Sequence, residues 1–198
     1  MQSYNHMRYG PEHKAETHER IVKDASRYLR RSGLSGSGVA RVMQASGLTH
    51  GGFYKHFRSK NDLLVEALAE AFRQRGNEMK RIAEAAPTGE GWKAIVNWYL
   101  SEEHCRRPDT GCPMSALAPE LARINPKAKR RIAEVLGAHR AKLLDLMPGE
   151  RAADRERAFG IIFPAMLGTV QVARLISDPD MRKQLLTNTR EFLLRSFE

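Results

Sequence analysis

The chain places several hydrogen-bond donors beside bare backbone between residues 49 and 60, which read T-H-G-G-F-Y-K-H-F-R-S-K. Gly51 and Gly52 leave one face of this stretch without side chains, and aromatic and basic residues follow directly in the sequence. A surface that lies against a polyanion needs bare backbone for close approach and donors for the phosphate oxygens. The stretch therefore predicts a nucleic-acid-binding element whose phosphate contacts come from Tyr54, Lys55, His56 and Lys60.

Three short helices are predicted to position this element. Apolar spacing predicts helices over about residues 12–32, 39–45 and 50–57. Gly33 ends the first helix, Ser37 and Thr49 are the predicted N-caps of the second and third, and Gly47 suits the tight turn between them. This order of helices predicts a helix-turn-helix unit that binds double-stranded DNA.

The same helices supply side chains that can read bases. Thr49, His50 and Lys55 can face the major groove, and Gly51 allows a close approach to it. Arg41 on the second helix can reach a guanine or a phosphate. We also expect Ser37, at the start of that helix, among the DNA-binding residues. The operator sequence does not follow from these residues.

The positive charge of the chain is concentrated in its first third. Residues 1–60 hold eleven Lys and Arg against four Asp and Glu, a net charge of +7, whereas residues 61–198 hold 22 against 19. A basic head on a nearly neutral body favours a polyanion as the partner of the head.

Composition and motif content argue against several other classes of protein. No segment is apolar for long enough to span a bilayer, and the polar N-terminus does not read as a secretion signal. Cys105 and Cys112 are too few for a disulfide scaffold, and no phosphate loop, nucleophile elbow or paired metal motif is present. We therefore expect a cytoplasmic protein with no cofactor, no metal site, no membrane contact and no catalytic residues.

The rest of the chain also has helical periodicity, with no strand pattern. Helices are predicted over about residues 60–85, 92–106, 114–123, 126–147, 152–177 and 179–197, with a kink at Pro164. The predicted fold is all-α with about nine helices. A DNA-binding head occupies residues 1–60 and begins in a mobile arm at 1–11, and a larger helical body occupies 61–198.

The sequence of the head resembles a known family. The run S-G-x-x-x-V-M-x-x-x-G-L-T-x-G-G-F-Y-K-H-F-R-S-K-x-D-L-L, at residues 37–64, is similar to the N-terminal domain of the tetracycline-repressor (TetR) family of bacterial regulators. The segment G-C-P-M-S-A-L-A-P-E-L at 111–121 resembles members in which Gly-Cys opens the sixth helix. Two departures are Gly38, where many members have a hydroxyl residue, and His18, where the first helix often carries an arginine.

A small head makes too few contacts to select one genomic site, so we expect dimer binding to a palindrome, as the resemblance also implies. The last two helices carry more apolar residues than one small body easily buries. Paired between two chains they would form a four-helix bundle. The alternative is that they are ordinary core, as some of them must be. The residues concerned are Phe159, Ile162, Phe163, Met166, Val170, Ala173, Leu185, Phe192 and Leu193.

The resemblance further implies a small-molecule inducer bound in an apolar cavity of the body. The candidate lining residues, each of which taken alone is more often plain core, are Trp92, Trp98, Tyr99, Cys112, Met114, Leu117, His139, Leu143, Phe163 and Met166. Cys112 precedes Pro113 at a predicted helix N-terminus, where the helix dipole favours a thiolate. It resembles the cysteine of electrophile- or oxidant-sensing members, although a free cysteine is usually buried and inert.

These features predict a ligand-responsive transcriptional regulator, in the first place a repressor, released from its operator by a small molecule or by thiol modification. Two alternatives stay open. An architectural DNA-binding protein would have no ligand cavity and little sequence preference, and a thiol-dependent enzyme would use Cys112 or the histidines. Neither the ligand nor the controlled genes follow from the sequence, which also leaves activation open.

Overall fold

A computed structural model gives the structure of the protein and describes residues 11–36, 39–47 and 50–197. Nine α-helices and one 3-10 helix are found in these residues, and no strand, so the all-α prediction is confirmed. The 3-10 helix, His50–Lys55, lies between the second and third α-helices. The α-helices are α1 Pro11–Gly36, α2 Val39–Ala45, α3 Lys60–Glu84, α4 Gly91–Tyr99, α5 Glu102–Arg106, α6 Pro113–Leu121, α7 Pro126–Leu144, α8 Ala152–Ala173 and α9 Pro179–Ser196.

The head packs α1, α2 and the 3-10 helix around one apolar cluster. Ile21, Met43 and Phe53, one from each of these elements, are buried in it. Gly47 has a φ of +69°, as predicted for the tight turn after α2. The third helix is a 3-10 helix and ends earlier than predicted, because two adjacent glycines at its start disfavour a regular α-helix.

Helix α1 is interrupted at Gly33, where the sequence predicted its end. Gly33 has φ 72° and ψ 175°, and helical bonding resumes for one turn after it. The freed backbone amide of Leu34 donates to the Glu120 carboxylate on α6 at 2.5 Å. The kink therefore joins the end of α1 to the body through a charge-assisted hydrogen bond.

Helix α3 connects the head to the body. Ser59 caps it, because its hydroxyl accepts a hydrogen bond from the Asp62 amide at 3.1 Å. Residues of α3 from Leu63 to Phe72 complete the apolar cluster of the head, whereas Met79 belongs to the cluster of the body. The head cluster also includes Leu117, Leu121 and Ile132 from α6 and α7. The domain boundary at residue 60 stays a prediction.

The helix predicted over residues 92–106 is wrong as a single element. Leu100 ends α4 with φ −91° and ψ 34°, and Ser101 then begins α5 by accepting a hydrogen bond from the His104 amide. A serine followed by Glu102 and Glu103 is a helix-start signal, since acidic side chains suit the first turn. The break turns α5 and the following loop across the body.

The body core is formed mainly by α4, α8 and α9, with Ile95, Ile162 and Leu193 fully buried. Helix α8 runs through Pro164 without a break, and the kink expected there stays a prediction. Helices α7 and α8 end three to four residues before their predicted ends. In the described part of the chain, no helix combines the length and apolar character needed to cross a membrane.

Candidate nucleic-acid interface and effector site

The donors of the predicted DNA-binding element lie on the outside of the head. Tyr54 is 70% exposed, and its ring packs edge-on against Phe53 at 5.1 Å, which holds the phenol outward. Lys55, Arg58 and Lys60 are exposed, and none forms an ion pair with a carboxylate in residues 11–36, 39–47 or 50–197. The three basic side chains are therefore available to phosphate oxygens, and buried Phe53 anchors the 3-10 helix in the core of the head.

His56 is held differently from its neighbours. It is half-buried, with its ring 6.0 Å from that of His18. Burial, followed by the His18, Lys14 and Lys55 charges, lowers the pKa of His56 below its ordinary value of 6.5. The imidazole is therefore neutral at pH 7, and any hydrogen bond that it gives to a phosphate is a neutral one.

His18, one of the two departures from the family pattern, connects α1 to α3. Its Nε2 lies 2.6 Å from the Glu66 carboxylate on α3, and its ring stacks on Phe57 at 4.6 Å. This side chain therefore has a structural role between α1 and α3.

The remaining predicted DNA-binding residues are only partly covered by the structure. Arg41 is exposed on α2, and His50 and Gly51 begin the 3-10 helix. Ser37 and Thr49 lie outside the described residues, as do residues 1–10 of the arm expected at 1–11; Pro11 begins α1. The base-reading roles of these residues stay predictions.

Most residues of the predicted inducer pocket are packed in the apolar clusters of the molecule. Trp92, Tyr99, Cys112, Leu117, His139, Leu143 and Met166 are buried, and Met114 and Phe163 are half-buried. Two members of the set line cavities: Trp98 lines one of about 220 Å³ beside the loop after α5, and Trp92 lines one of about 460 Å³ beside residues 86–89 and 145–149. The lining of an inducer pocket stays a prediction.

Cys112 is fully buried and stands directly before α6, with Pro113 as the first helical residue. Its amide donates to His104 Nε2 at 3.4 Å, and His104 Nδ1 lies 2.7 Å from the Tyr99 carbonyl oxygen. Burial lowers the pKa of His104 to about 4, so the ring is neutral at pH 7. Both imidazole nitrogens are therefore bound to backbone groups, which leaves neither to activate the Cys112 thiol.

Cys105, the other cysteine, is also a free and buried thiol. Burial raises the pKa of Cys105, opposed by the nearby charge of Arg174. A higher pKa means less thiolate at neutral pH and hence lower reactivity.

His139 is a second buried histidine, on α7. Its ring lies 4.9 Å from that of Phe72 and 6.4 Å from that of Phe163. Neither ring nitrogen has a hydrogen-bond partner in the described structure. Burial lowers the pKa of His139 to about 4, so it is a neutral polar group in an apolar interior.

Three buried arginines, which the sequence interpretation missed, surround the loop between α5 and α6. Arg30 donates to the Gly111 carbonyl oxygen at 3.1 Å, Arg75 donates to that of Thr110, and Arg174 donates to that of Cys105 at 3.0 Å. None of the three forms an ion pair within the described residues. One signal was present in the sequence: Arg75 falls in the apolar stripe of α3, four residues from both Ala71 and Met79.

Comparisons with known proteins agree with this geometry. Residues 21–67 match the family model described as bacterial regulatory proteins, tetR family. The HTH-type transcriptional regulator YerO of Bacillus subtilis (strain 168) is 33% identical over 69 residues, which are 35% of this chain and 24% of YerO. The chain thus spans about a quarter of the length of that relative.

Solved structures share the fold over nearly the whole chain. A TetR transcriptional regulator from Chloroflexus aurantiacus J-10-FL has a TM-score of 0.73 and 24% identity, over 92% of this chain and 96% of that one. The regulator FadR from Bacillus subtilis, solved in complex with stearoyl-CoA, has a TM-score of 0.65 and 18% identity, over 91% and 99% of the chains.

Exposed donors on a helix-turn-helix head, carried by a helical body, are the arrangement found in DNA-binding regulators. Residues 21–67 thus match the N-terminal domain of the tetR family of bacterial regulatory proteins, and the whole chain shares the fold of solved TetR-family regulators.

Proposed function

We propose that the protein is a transcriptional repressor that binds a palindromic operator as a homodimer and releases it when a small molecule binds the body. The observation that carries the proposal is the exposed set of Lys55, Arg58 and Lys60, which form no ion pair among the described residues, on a domain that matches the tetR family model. It acts in the cytoplasm, where a bacterial operator lies.

The chemistry of the head supports phosphate binding. Lys55 and Lys60 supply charge and release counterions, whereas Tyr54 and neutral His56 add hydrogen bonds without charge. Lys60 is the first residue of α3, where the helix dipole also favours an anion. These contacts position the 3-10 helix on the duplex.

The proposed dimer uses the outer faces of α8 and α9. Ile161 and Val172 on α8, Leu175 just after it, and Met181 and Phe192 on α9 are large apolar residues that remain exposed, Leu175 at 83%. Of the residues listed for this surface from the sequence, Ile162, Met166, Val170, Ala173 and Leu193 belong to the core of the single chain. Helix α8 is apolar on most sides, so spacing alone does not separate its inner face from its outer one.

The spacing of residues along α8 supports a helix-on-helix contact. Ile161 and Val172 are exposed, half-buried Ala165 and Gly168 lie between them at intervals of three to four residues, and a side chain at Gly168 would meet nothing within 4 Å. A stripe of this spacing fits the seam of a four-helix bundle between two copies. We expect Phe192→Lys to yield monomer in sedimentation, whereas Lys183→Ala, on an exposed part of α9, leaves the dimer unchanged.

A small-molecule inducer is supported by the likeness to FadR, whose structure contains stearoyl-CoA. In this chain, a ligand that enters the body near His139 and Phe163 would gain hydrogen bonds to an imidazole that has no partner among the described residues. Gly76 of α3 faces this imidazole, since a Cβ added at Gly76 would lie only 3.4 Å from His139 Nδ1. A shift of His139 would therefore press on α3, which carries the head.

Modification of Cys112 is the second candidate trigger. The thiol is fully buried, so a reagent must first open the loop before α6. Cys112→Ser should abolish operator release by N-ethylmaleimide, whereas Cys105→Ser serves as the matched buried control. Unchanged release from the Cys112→Ser protein would rule out the thiol trigger.

The decisive experiment is a mobility-shift titration with the DNA upstream of the coding sequence of the chain, compared with a shuffled duplex of the same composition. We expect preference for the upstream DNA, and weaker binding by Tyr54→Phe and by Lys60→Ala. Binding that depends only on salt, equal for both duplexes, would instead support the architectural alternative. The enzyme alternative has weaker support, because the backbone contacts of His104 leave Cys112 without a base.

A further inference from the structure

The cavity beside the loop after α5 has at its base a buried arginine whose donors are only partly used. Its volume is about 220 Å³, and its lining consists of Arg75, Glu78, Trp98, Glu103, His104, Arg107 and Thr110. Arg75 and His104 are buried at its base, whereas Glu103 and Arg107 are exposed at its rim. A cavity of this size is smaller than the clefts of about 300–1,000 Å³ that hold drug-sized ligands.

Arg75 at the base has incomplete hydrogen bonding. It is only 7% exposed, and its guanidinium lies 4.5 Å from the centroid of the Trp98 ring. One of its nitrogens, Nη2, donates to the Thr110 carbonyl oxygen, but Nε and Nη1 have no partner among the described residues. A buried guanidinium with two unused donors is costly unless an acceptor reaches it.

The carboxylates of the cavity do not supply that acceptor. Glu103 accepts a hydrogen bond from Arg107 at 3.2 Å, and Glu78 accepts one from Arg81 at 2.5 Å. Arg30 and Arg174 approach the same loop from the other side, and each is bound there to uncharged oxygen atoms. Within the described residues, three buried positive charges thus meet at the loop without a directly bonded carboxylate.

We propose that this cavity binds a small oxyanion, a carboxylate or a phosphate, which pairs with Arg75. Nη2 carries two N–H groups, and the one that does not bind Thr110 forms a fork with Nε or Nη1 that matches the two oxygen atoms of either group. Neutral His104 adds no charge of its own, so the selectivity for an anion comes from Arg75, assisted by Arg107 at the rim.

Binding there has a route to the head, and this part rests on the proposed repressor function. Arg75 holds the Thr110 carbonyl, and Arg30 of α1 holds the adjacent Gly111 carbonyl. Gly111 is tightly packed, since an added side chain would lie 3.1 Å from Arg174 and 3.4 Å from His104. An anion that draws Arg75 from Thr110 moves this peptide, and with it the contact to α1. The anion thereby changes the orientation of the head.

The test is calorimetric titration of the full-length protein with inorganic phosphate, acetate, benzoate and neutral benzamide. We expect binding of phosphate or of a carboxylate with a dissociation constant of about 1 mM or tighter, and none of benzamide. Phosphate binding alone assigns a phosphate ligand, and acetate or benzoate binding alone assigns a carboxylate. Absence of binding by all three anions up to about 10 mM would overturn the proposal.

Variants locate the site. Arg75→Met should weaken anion binding about 10- to 100-fold and Arg75→Lys less, whereas Arg73→Met, exposed on the same helix, should have no effect. Equal affinity of the Arg75→Met protein and the wild type would overturn the proposal. If Arg75→Met does not fold, the exposed rim variants decide: Glu103→Gln should tighten binding and Arg107→Met should weaken it, and no change in either would overturn the site.

Operator binding is measured separately, without anion, so that the two proposals can fail independently. Anion binding by a protein that does not select its operator refutes the repressor function and leaves the site. Operator binding that is unchanged at saturating anion refutes the route through Gly111 to α1.

Discussion

The imidazole of His139 lies between Phe72 and Phe163, with neither nitrogen hydrogen-bonded in the described structure. Burial lowers the pKa of His139 from 6.5 to about 4. Between these two values the unfolded chain is protonated and the folded chain is not. Above about pH 6.5, the free energy of unfolding therefore does not vary with pH through this group. Below that pH, the free energy of unfolding falls as the pH drops toward 4.

The size of the effect follows from the two pKa values. Lowering the pH from 7 to 5 should reduce the free energy of unfolding by about 2 kcal/mol through His139. His104, whose pKa is also about 4, should contribute a similar amount. The substitution His139→Leu removes the contribution of His139 to this pH dependence. At pH 7 the substitution should leave the free energy of unfolding unchanged or raise it, because two buried nitrogens without partners among the described residues are lost.

Urea unfolding at pH 7, 6 and 5, at one protein concentration, measures this prediction. His139→Leu should gain about 2 kcal/mol relative to wild type as the pH falls from 7 to 5. His13→Leu, at an exposed position on α1, is the control and should follow the wild type. The difference between the two curves removes the carboxylate contributions that both proteins share. A difference that stays constant from pH 7 to pH 5 would refute the burial argument.

Three further predictions concern the head and its supports. Ser59→Ala should lower the free energy of unfolding by about 1 kcal/mol in urea titration, because the Asp62 amide loses its cap, whereas Ser59→Asp should retain most of it. Gly33→Ala should cost more than about 1 kcal/mol in the same assay, because φ is +72° and the new Cβ would lie 2.5 Å from Glu120; full stability would contradict the kink. Lys55→Ala should reduce the slope of log affinity for DNA against log salt by about 1, and an unchanged slope would exclude a phosphate contact by Lys55.

The head was largely predictable because its signals are local. The bounds of α2, the positive φ of Gly47 and the Ser59 cap each depend on residues within about one turn of one another. The donors of the 3-10 helix were predictable for the same reason, because side chains that are close in sequence on a short helix are also close in space. The 3-10 geometry itself was missed, although Gly51 and Gly52 gave a reason to expect it.

The body was less predictable because its helices carry apolar residues on most sides. Periodicity then does not separate the buried face of a helix from its exposed face. Ile162 and Ile161 are adjacent in the sequence, yet the first is core and the second is exposed. The break between α4 and α5 was missed for a related reason. The apolar spacing predicts one continuous helix, whereas the N-cap at Ser101 begins a new one. Local spacing shows that a helix is amphipathic or apolar, but it does not show which neighbour covers each face.

The sequence by itself determined that the chain is helical, that its positive charge lies in the head, and which donors the DNA-binding element presents. Only the tertiary structure decided that Arg30, Arg75 and Arg174 meet at one loop, and that His104 is bound to backbone atoms instead of the Cys112 thiol. The physical reason is distance along the chain. Arg30 and Gly111 are separated by 81 positions, and contacts of that range depend on how helices pack and not on the spacing within any one of them.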